Sequence, residues 1–316
     1  LKVLGIETSC DETAASVVSL VDGVVTVHTF ALSSQRFFHE KFGGVVPELA
    51  SREHLRNLRA VVEAANEGQV IDAIGVTAGP GLKGCLMIGT DFARGLGAGL
   101  RIPVYRVNHI EAHILSCFLE HKVDFPYICL VASGGHTEIQ FVKAVGEYEL
   151  FSKTTDDAAG EAFDKSAVLL GLPGGLELAN LADSVTKSPY SLPIGNKGKD
   201  EFSFSGLKTA ASLLIKKTGA DSKAEVAFAI QEAIVGALLE KVKRAETYYG
   251  INRVVVAGGV SANRRLREVF NKNFNSYFVS PRYCTDNGAM IALCCLLRMK
   301  KFDDRLTDEV FPRWPV

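Results

Sequence analysis

His109 and His113 stand four residues apart in a stretch with helical apolar spacing, so their imidazoles share one face. That spacing chelates metals, although two ordinary surface or core histidines fit it as well. It is not the motif of a zinc peptidase, because Glu111 lies midway between the histidines instead of beside the first. A third ligand must come from elsewhere in the chain. Asp286, in Cys284-Thr285-Asp286-Asn287-Gly288, is a candidate, with a helix N-cap as its alternative role. Two imidazoles and a carboxylate suit zinc or iron(II) with open coordination positions.

Three polar turns add to this pair. Thr8–Thr13 and Ser133–Thr137 each join two apolar runs, and Gly258–Asn263 leads from an apolar run into a helix. Glycine turns and helix starts expose N–H groups that can cradle anionic oxygens, though each is also an ordinary tight turn when taken singly. Asp11 and Glu12 make the first turn unsuited to phosphate and better suited to a metal, a water or an amine. The acids of 156–164 surround a helix start, where the dipole alone favours them. Asp164 comes later on that helix and is the stronger functional candidate. The segment Phe202-Ser203-Phe204-Ser205-Gly206-Leu207-Lys208-Thr209 reads as a substrate loop or a strand edge.

The elements that must position these residues follow from apolar periodicity. Strands are expected at 2–6, 14–20 and 24–30, a helix at 47–66, a strand at 71–78 and a helix at 85–100. A strand at 103–108 and a helix at 109–121 follow. The pattern then restarts with strands at 127–133, 138–143 and 148–153. Helices are expected at 161–170, 224–249 and 287–301, with a buried strand at 253–257. Each half offers strand, polar turn, strand, and then mixed strands and helices. The expectation is an α/β protein with an internal duplication: a first lobe over 1–123, joined by the C-terminal helix of 290–316, and a second over 124–289. The cleft between two such lobes is the default ligand site.

Composition narrows the partners. At 47% hydrophobic and 22% charged, the chain has apolar material for two cores. A net charge of −1 provides no overall field for nucleic acid, so any such role needs a local basic face or a partner. Arg52, Arg56 and Arg59 on one helical face, and Arg264, Arg265 and Arg267 after the last glycine turn, are the candidate clusters. Seven scattered cysteines without a CxxC pair point to reduced thiols in a cytosol-like compartment. No apolar run reaches the roughly 20 residues of a membrane helix, and no signal peptide is expected, since 1–7 reads directly as strand.

Taken in order, these motifs resemble one family. They are Gly5–Thr13, Gly43-Gly44-Val45-Val46-Pro47-Glu48, Gly79-Pro80-Gly81, His109 with His113, Ser133–Thr137, Gly160-Glu161-Ala162-Phe163-Asp164-Lys165, Phe202–Thr209, Gly258–Asn263 and Cys284–Gly288. The likeness runs through Pro312-Arg313-Trp314-Pro315 and is to the bacterial TsaD branch of the Kae/Qri/TsaD family. The resemblance implies a two-lobed, actin-like ATPase fold. It also implies transfer of a threonylcarbamoyl group from threonylcarbamoyl-AMP to the N6 amine of the adenosine beside the anticodon, in tRNAs reading codons that start with A. Carried over by motif, His109, His113 and Asp286 would hold one divalent metal ion, iron(II) or zinc. Ala132, Ser133, Gly134, Gly135, His136, Asp164, Gly175 and Asn263 would bind the adenylate, with its adenosine near Asn263 and Gly175. Asp11 and Glu12 would orient the amine or accept its proton. Partners implied are tRNA, a TsaB-like paralogue docked on the first lobe and a TsaE-like ATPase, with no membrane, in the cytoplasm or an organelle matrix. The chain departs from the family at Lys83, at Ala179, in the short stretch Gly171-Leu172-Pro173-Gly174-Gly175 and in the short region 188–201. Competing expectations are a sugar or acetate kinase of the same fold and a non-catalytic nucleotide-binding scaffold.

Overall fold

Strand β1 (Lys2–Glu7) is apolar at every position but its ends, and it becomes the centre of a sheet. It pairs antiparallel with β2 (Glu12–Val21), which carries β3 (Val24–Val27) and β4 (Ala31–Ser34), and the short helix α1 (Arg36–Glu40) follows. On its other side it pairs parallel with β5 (Ala73–Gly79), and β5 with β6 (Val104–Asn108). A computed structural model describes residues 1–40, 42, 44–218 and 222–316. Gly43, in the second family motif, lies outside them.

The chain divides into two compact units, Leu1–Val123 with Thr285–Val316, and Asp124–Cys284. Residues 285–289, expected in the second lobe, group with the first unit. In the first, α2 (Pro47–Asn66) and α3 (Lys83–Leu100) cover one face of the sheet, and α10 (Gly288–Arg298) covers the other. Pro47 opens α2, where its missing N–H costs nothing. Leu4, Ile6, Ile74 and Val76 point into the α2/α3 layer and are fully buried, each contributing about 1.5–3 kcal/mol. The alternate residues Gly5 and Gly75 face α10, and period two puts Glu7 and Thr77 on that same face.

The second unit repeats this layout. Strand β7 (Tyr127–Ala132) pairs antiparallel with β8 (Thr137–Ala144), and β8 with β9 (Glu147–Lys153). It pairs parallel with β10 (Arg253–Ala257), and β10 with β11 (Asn275–Phe278). The order β11-β10-β7-β8-β9 matches β6-β5-β1-β2-β3 of the first unit. The 27-residue α8 (Lys223–Tyr249) runs through the core with α5 (Ala159–Leu169), α6 (Gly175–Ala182) and α9 (Arg264–Asn273).

Several expected boundaries shift. The strand expected over 24–30 stops at Val27, and the chain re-pairs with β2 as β4. The helix expected over 109–121 is α4 (His109–Leu115) followed by a tighter turn at Ser116–Leu119. The segment read as a loop or strand edge at 202–209 becomes helical at Ser205, where α7 (Ser205–Thr218) begins. Asp156 causes this. Its carboxylate accepts from Phe204 N (2.7 Å), Ser205 N (3.3 Å), Ser205 Oγ (2.7 Å) and Ser203 Oγ (2.5 Å), satisfying the helix start from a distant loop. Among the described residues, no helix is long and apolar enough to cross a membrane.

Candidate functional site

Strand β6 passes into α4 without a loop, and Asn108 makes that possible. Its Oδ1 accepts from Ile110 N (2.9 Å) and Glu111 N (3.1 Å), capping the helix at the residue before His109. Its Nδ2 donates to the Trp314 carbonyl (3.0 Å). The C-terminal segment around Trp314 is itself tied down, with Phe311 N donating to Ala78 O (2.7 Å) and the Arg106 guanidinium against both aromatic rings. The Pro-Arg-Trp-Pro end of the chain thus helps set the histidine helix.

Asp286 arrives from the opposite direction, just before α10. A Cβ on Gly5 would lie 2.1 Å from the Gly288 carbonyl, and one on Gly288 would lie 2.5 Å from the Ala15 backbone. Only glycines let the start of this helix press so closely onto β1 and β2. Asn287 supplies the helix cap, accepting from Met290 N (3.0 Å), so the capping role open to Asp286 is taken by its neighbour.

The three residues converge within the first unit. His113 Nε2 lies 2.9 Å from Asp286 Oδ1, and His109 Nε2 lies 3.5 Å from the same oxygen. The rings meet edge to face at 4.7 Å between centroids, and the three ligand atoms lie within 4.8 Å of one another. Both histidines are buried and Asp286 is partly so. This donor set fits a divalent metal: two neutral-capable nitrogens and one carboxylate oxygen facing a common point. Glu111 is turned away to Arg298 (2.6 Å) and takes no part.

A residue that the sequence reading passed over stands behind this group. Glu7, fully buried, faces His109 Nδ1 at 3.0 Å and accepts from Thr77 Oγ1 (2.6 Å) and from Ser9 N. Burial raises its pKa, but the charge and hydrogen bond of His109 outweigh that and hold the carboxyl below its usual range. On His109 burial pulls the pKa down, and Asp286 and Glu7 together lift it to about 9. An acid inside an otherwise apolar strand was the visible signal, because buried carboxylates are rare unless partnered.

The first turn carries the other acids. Burial, then Asp11 and Asp286, pushes the Glu12 carboxyl well above its usual range, helped by a hydrogen bond to Asp11. Asp11 is half-buried. The same causes push the Cys10 thiol far up, away from the thiolate form.

In the second unit, Ala132 ends β7, and the turn from Ser133 to His136 is closed by Ser133 N to His136 O (2.8 Å) and His136 N to Ser133 Oγ (3.1 Å). Gly134 and Gly135 are exposed at its tip with open space around them. Gly160 N donates to Ser133 O (3.1 Å), which brings the start of α5 to this turn. Gly258, at φ +86°, would place a Cβ 2.4 Å from the Ala132 carbonyl, so the end of β10 meets the same spot. One turn further along α5, Asp164 Oδ1 accepts from Gly175 N (2.7 Å) at the start of α6. Asn263 caps α9 by accepting from Leu266 N (2.8 Å) and donates to Gln231 (2.8 Å). The loops leaving β7 and β10 lie where connections diverge to either side of the sheet, the usual ligand crevice of such sheets.

The expected basic clusters are largely absorbed by protein partners. Arg265 is bound to Glu232 (2.6 and 2.9 Å), and Arg267 to the carbonyls of Ser261 (2.8 Å) and Val279 (2.6 Å). Arg264 alone of that trio is mostly exposed. Arg52, Arg56 and Arg59 line the exposed face of α2, but Arg56 pairs with Glu53 and Arg59 with Glu63 (2.7 Å).

The family model described as TsaD, tRNA N6-adenosine threonylcarbamoyltransferase, matches residues 27–293. The chain is 44% identical to the tRNA N6-adenosine threonylcarbamoyltransferase of Variovorax paradoxus strain S110, over 99% of this chain and 96% of that protein. It is 45% identical to the enzyme of the same description from Aromatoleum aromaticum, over 100% of this chain and 97% of that one. In fold it is similar to the crystal structure of HypF from T. kodakarensis, with a TM-score of 0.64 and 16% identity, over 95% of this chain and 48% of that one. It is also similar to component A of the (R)-2-hydroxyglutaryl-CoA dehydratase of Acidaminococcus fermentans, with a TM-score of 0.57 and 16% identity, over 93% of this chain and 96% of that one.

Proposed function

The chain belongs to the TsaD family and forms threonylcarbamoyladenosine on tRNA, and from that premise we propose how its own residues carry the reaction. The donor is threonylcarbamoyl-AMP, and the acceptor is the N6 amine of the adenosine beside the anticodon in tRNAs reading codons that start with A. The nitrogen lone pair attacks the carbamoyl carbonyl carbon, the bond from that carbon to the phosphate oxygen breaks, and AMP leaves with the electron pair. The new N–C bond requires the amine to lose one proton.

His109, His113 and Asp286 would hold one divalent ion, iron(II) or zinc, which supplies Lewis acidity toward carbonyl or phosphate oxygen. Glu12 is the proton acceptor we favour, with Asp11 orienting the amine. Once ionised, a carboxyl whose pKa is raised above the usual range is a stronger base than an exposed one. The N–H groups of Gly134 and Gly135 at the tip of the turn would receive the leaving phosphate, and Asp164, Gly175 and Asn263 would hold the adenylate. Asn263 would contact it through its backbone or by giving up Gln231, since its side chain already serves two partners.

At net charge −1, with most of its arginines engaged, this chain needs help to hold tRNA. A TsaB-like paralogue docked on the first unit would supply it. Leu55 on α2 and Met87 on α3, 72% and 45% exposed, are apolar residues such a partner would cover. A TsaE-like ATPase would complete the assembly, in the cytoplasm or an organelle matrix where tRNA is modified.

The observation that carries the proposal is the convergence of His109, His113 and Asp286 in a chain aligned end to end with its relatives. The experiment is reconstitution with tRNA, threonylcarbamoyl-AMP, iron(II) or zinc and both partners, followed by mass analysis of digested nucleosides. Threonylcarbamoyladenosine is expected only in the complete mixture and is lost on chelation. Equal product with the TsaB-like partner omitted, or after exhaustive chelation, overturns the corresponding part.

A further inference from the structure

We propose that Glu7 is a positioning residue for the metal site: it holds the proton on His109 Nδ1 and so presents the Nε2 lone pair to the ion. The inference rests on the reading of His109, His113 and Asp286 as metal ligands. Glu7 ends β1 on the face that meets α10, and its side chain is wholly excluded from solvent. Its Oε1 accepts from the Ser9 backbone N–H. Its Oε2 accepts from the Thr77 hydroxyl at 2.6 Å and faces His109 Nδ1 at 3.0 Å.

Two donors, the Ser9 N–H and the Thr77 hydroxyl, already engage this carboxylate and decide its role. An anion so engaged is an acceptor only, so a bare Nδ1 lone pair facing it would be repelled, and Nδ1 must carry a hydrogen. The opposite ring nitrogen, Nε2, then faces Asp286 at 3.5 Å as the ligand atom. The Ser9 hydroxyl, 3.3 Å from Nδ1, can donate or accept and does not decide the tautomer. With its oxygens occupied, Glu7 is not itself a ligand; it acts through the ring. His113 has no such support. Among the described residues its Nδ1 is buried without a hydrogen-bond partner, and its position depends on α4 and on Asp286. One ligand is therefore anchored from behind and the other is not. A strand core alone would be better served at position 7 by an apolar side chain, because burying a carboxylate is costly.

The test uses wild-type protein freed of metal and then titrated with zinc. Long-range proton–nitrogen NMR of the imidazoles, assigned with His109→Gln, is expected to show His109 protonated at Nδ1 and metal-bound at Nε2. The reverse pattern in zinc-loaded protein overturns the inference while leaving the metal site standing. Absence of zinc uptake removes the metal reading and the inference with it. In a second arm, zinc affinity is measured by chelator competition. Glu7→Gln is expected to raise Kd about 10–100-fold, and Thr77→Val by a smaller factor, with circular dichroism unchanged. Unaltered zinc affinity in folded Glu7→Gln overturns the proposal. If that variant does not fold, the wild-type NMR decides alone.

Discussion

Strands β1 and β7 occupy equivalent places in the two units, each central, each antiparallel to the next strand and parallel to a later one. What stands at their C-terminal ends is opposite in character. Beyond β1 are acids and a histidine: Glu7 buried on the strand itself, Glu12 half-buried across the turn, and His109 buried just past the end of β6. Beyond β7 is a turn of Ser133, Gly134, Gly135 and His136, with Gly160 and Gly258 drawn up against it. The sheet order fixes where a site can form; the residues at the strand ends suit one of them to a cation and, on the reading proposed above, the other to an anion.

The sharpest way to break this division is to remove one group from each side. His109→Ala is expected to lower transfer about a thousandfold or more, the scale of several kcal/mol of lost Lewis-acid stabilisation, and to lower bound metal with it. Asp164→Ala should leave metal content alone and weaken AMP binding by one charge-assisted hydrogen bond, roughly 1.5–3 kcal/mol by calorimetry. If His109→Ala keeps its metal, or Asp164→Ala leaves AMP affinity unchanged, that half of the assignment fails.

A smaller effect separates framework from tip within the second unit. Gly258→Ala would put a Cβ against the Ala132 carbonyl at a backbone angle that only glycine readily adopts, and should cost about 1–3 kcal/mol in thermal unfolding. Gly134→Ala meets nothing within 4 Å and should stay within about 0.5 kcal/mol. Similar losses at both positions would contradict the packing described here.

The smallest predicted effect concerns Glu12. Its pKa is raised in the fold, so the unfolded chain ionises first as pH rises past about 4.3, and the fold is penalised from there upward. In metal-free protein, Glu12→Gln should therefore gain about 0.5–2 kcal/mol in urea denaturation at pH 8, a gain that fades by pH 4. Loss of stability at pH 8 would show that the Glu12 carboxylate is supported instead of strained.

Local pattern made much of this legible. The helix expected over 47–66 is α2 residue for residue, because a proline start and a 3.6-residue apolar period both lie within the segment. β10 also matches its expected bounds, and β1 and β7 match theirs to within one residue, because glycine and polar turns bound their apolar runs. His109 and His113 needed only one helix to be read as a pair. The second unit's helices were harder. The start of α7 depends on Asp156, 48 residues earlier in the chain than Phe204, and no local window contains both.

The sequence by itself determined most of the strand and helix order, the i, i+4 histidine pair and the ordered motifs that mark the family. Tertiary structure decided which partners those residues keep. Asp286 serves the histidines because Asn287 caps α10, and Gly5 and Gly288 let that helix descend onto β1. Glu7 meets His109 across 102 residues because β1, β5 and β6 are adjacent in the sheet. Arg265 and Arg267 are spent on Glu232 and on backbone carbonyls that no spacing rule could supply. Periodicity is a property of a dozen consecutive residues. A buried charge is satisfied by whatever the folded sheet brings within about 3 Å of it, and strand order, not sequence distance, sets that neighbour.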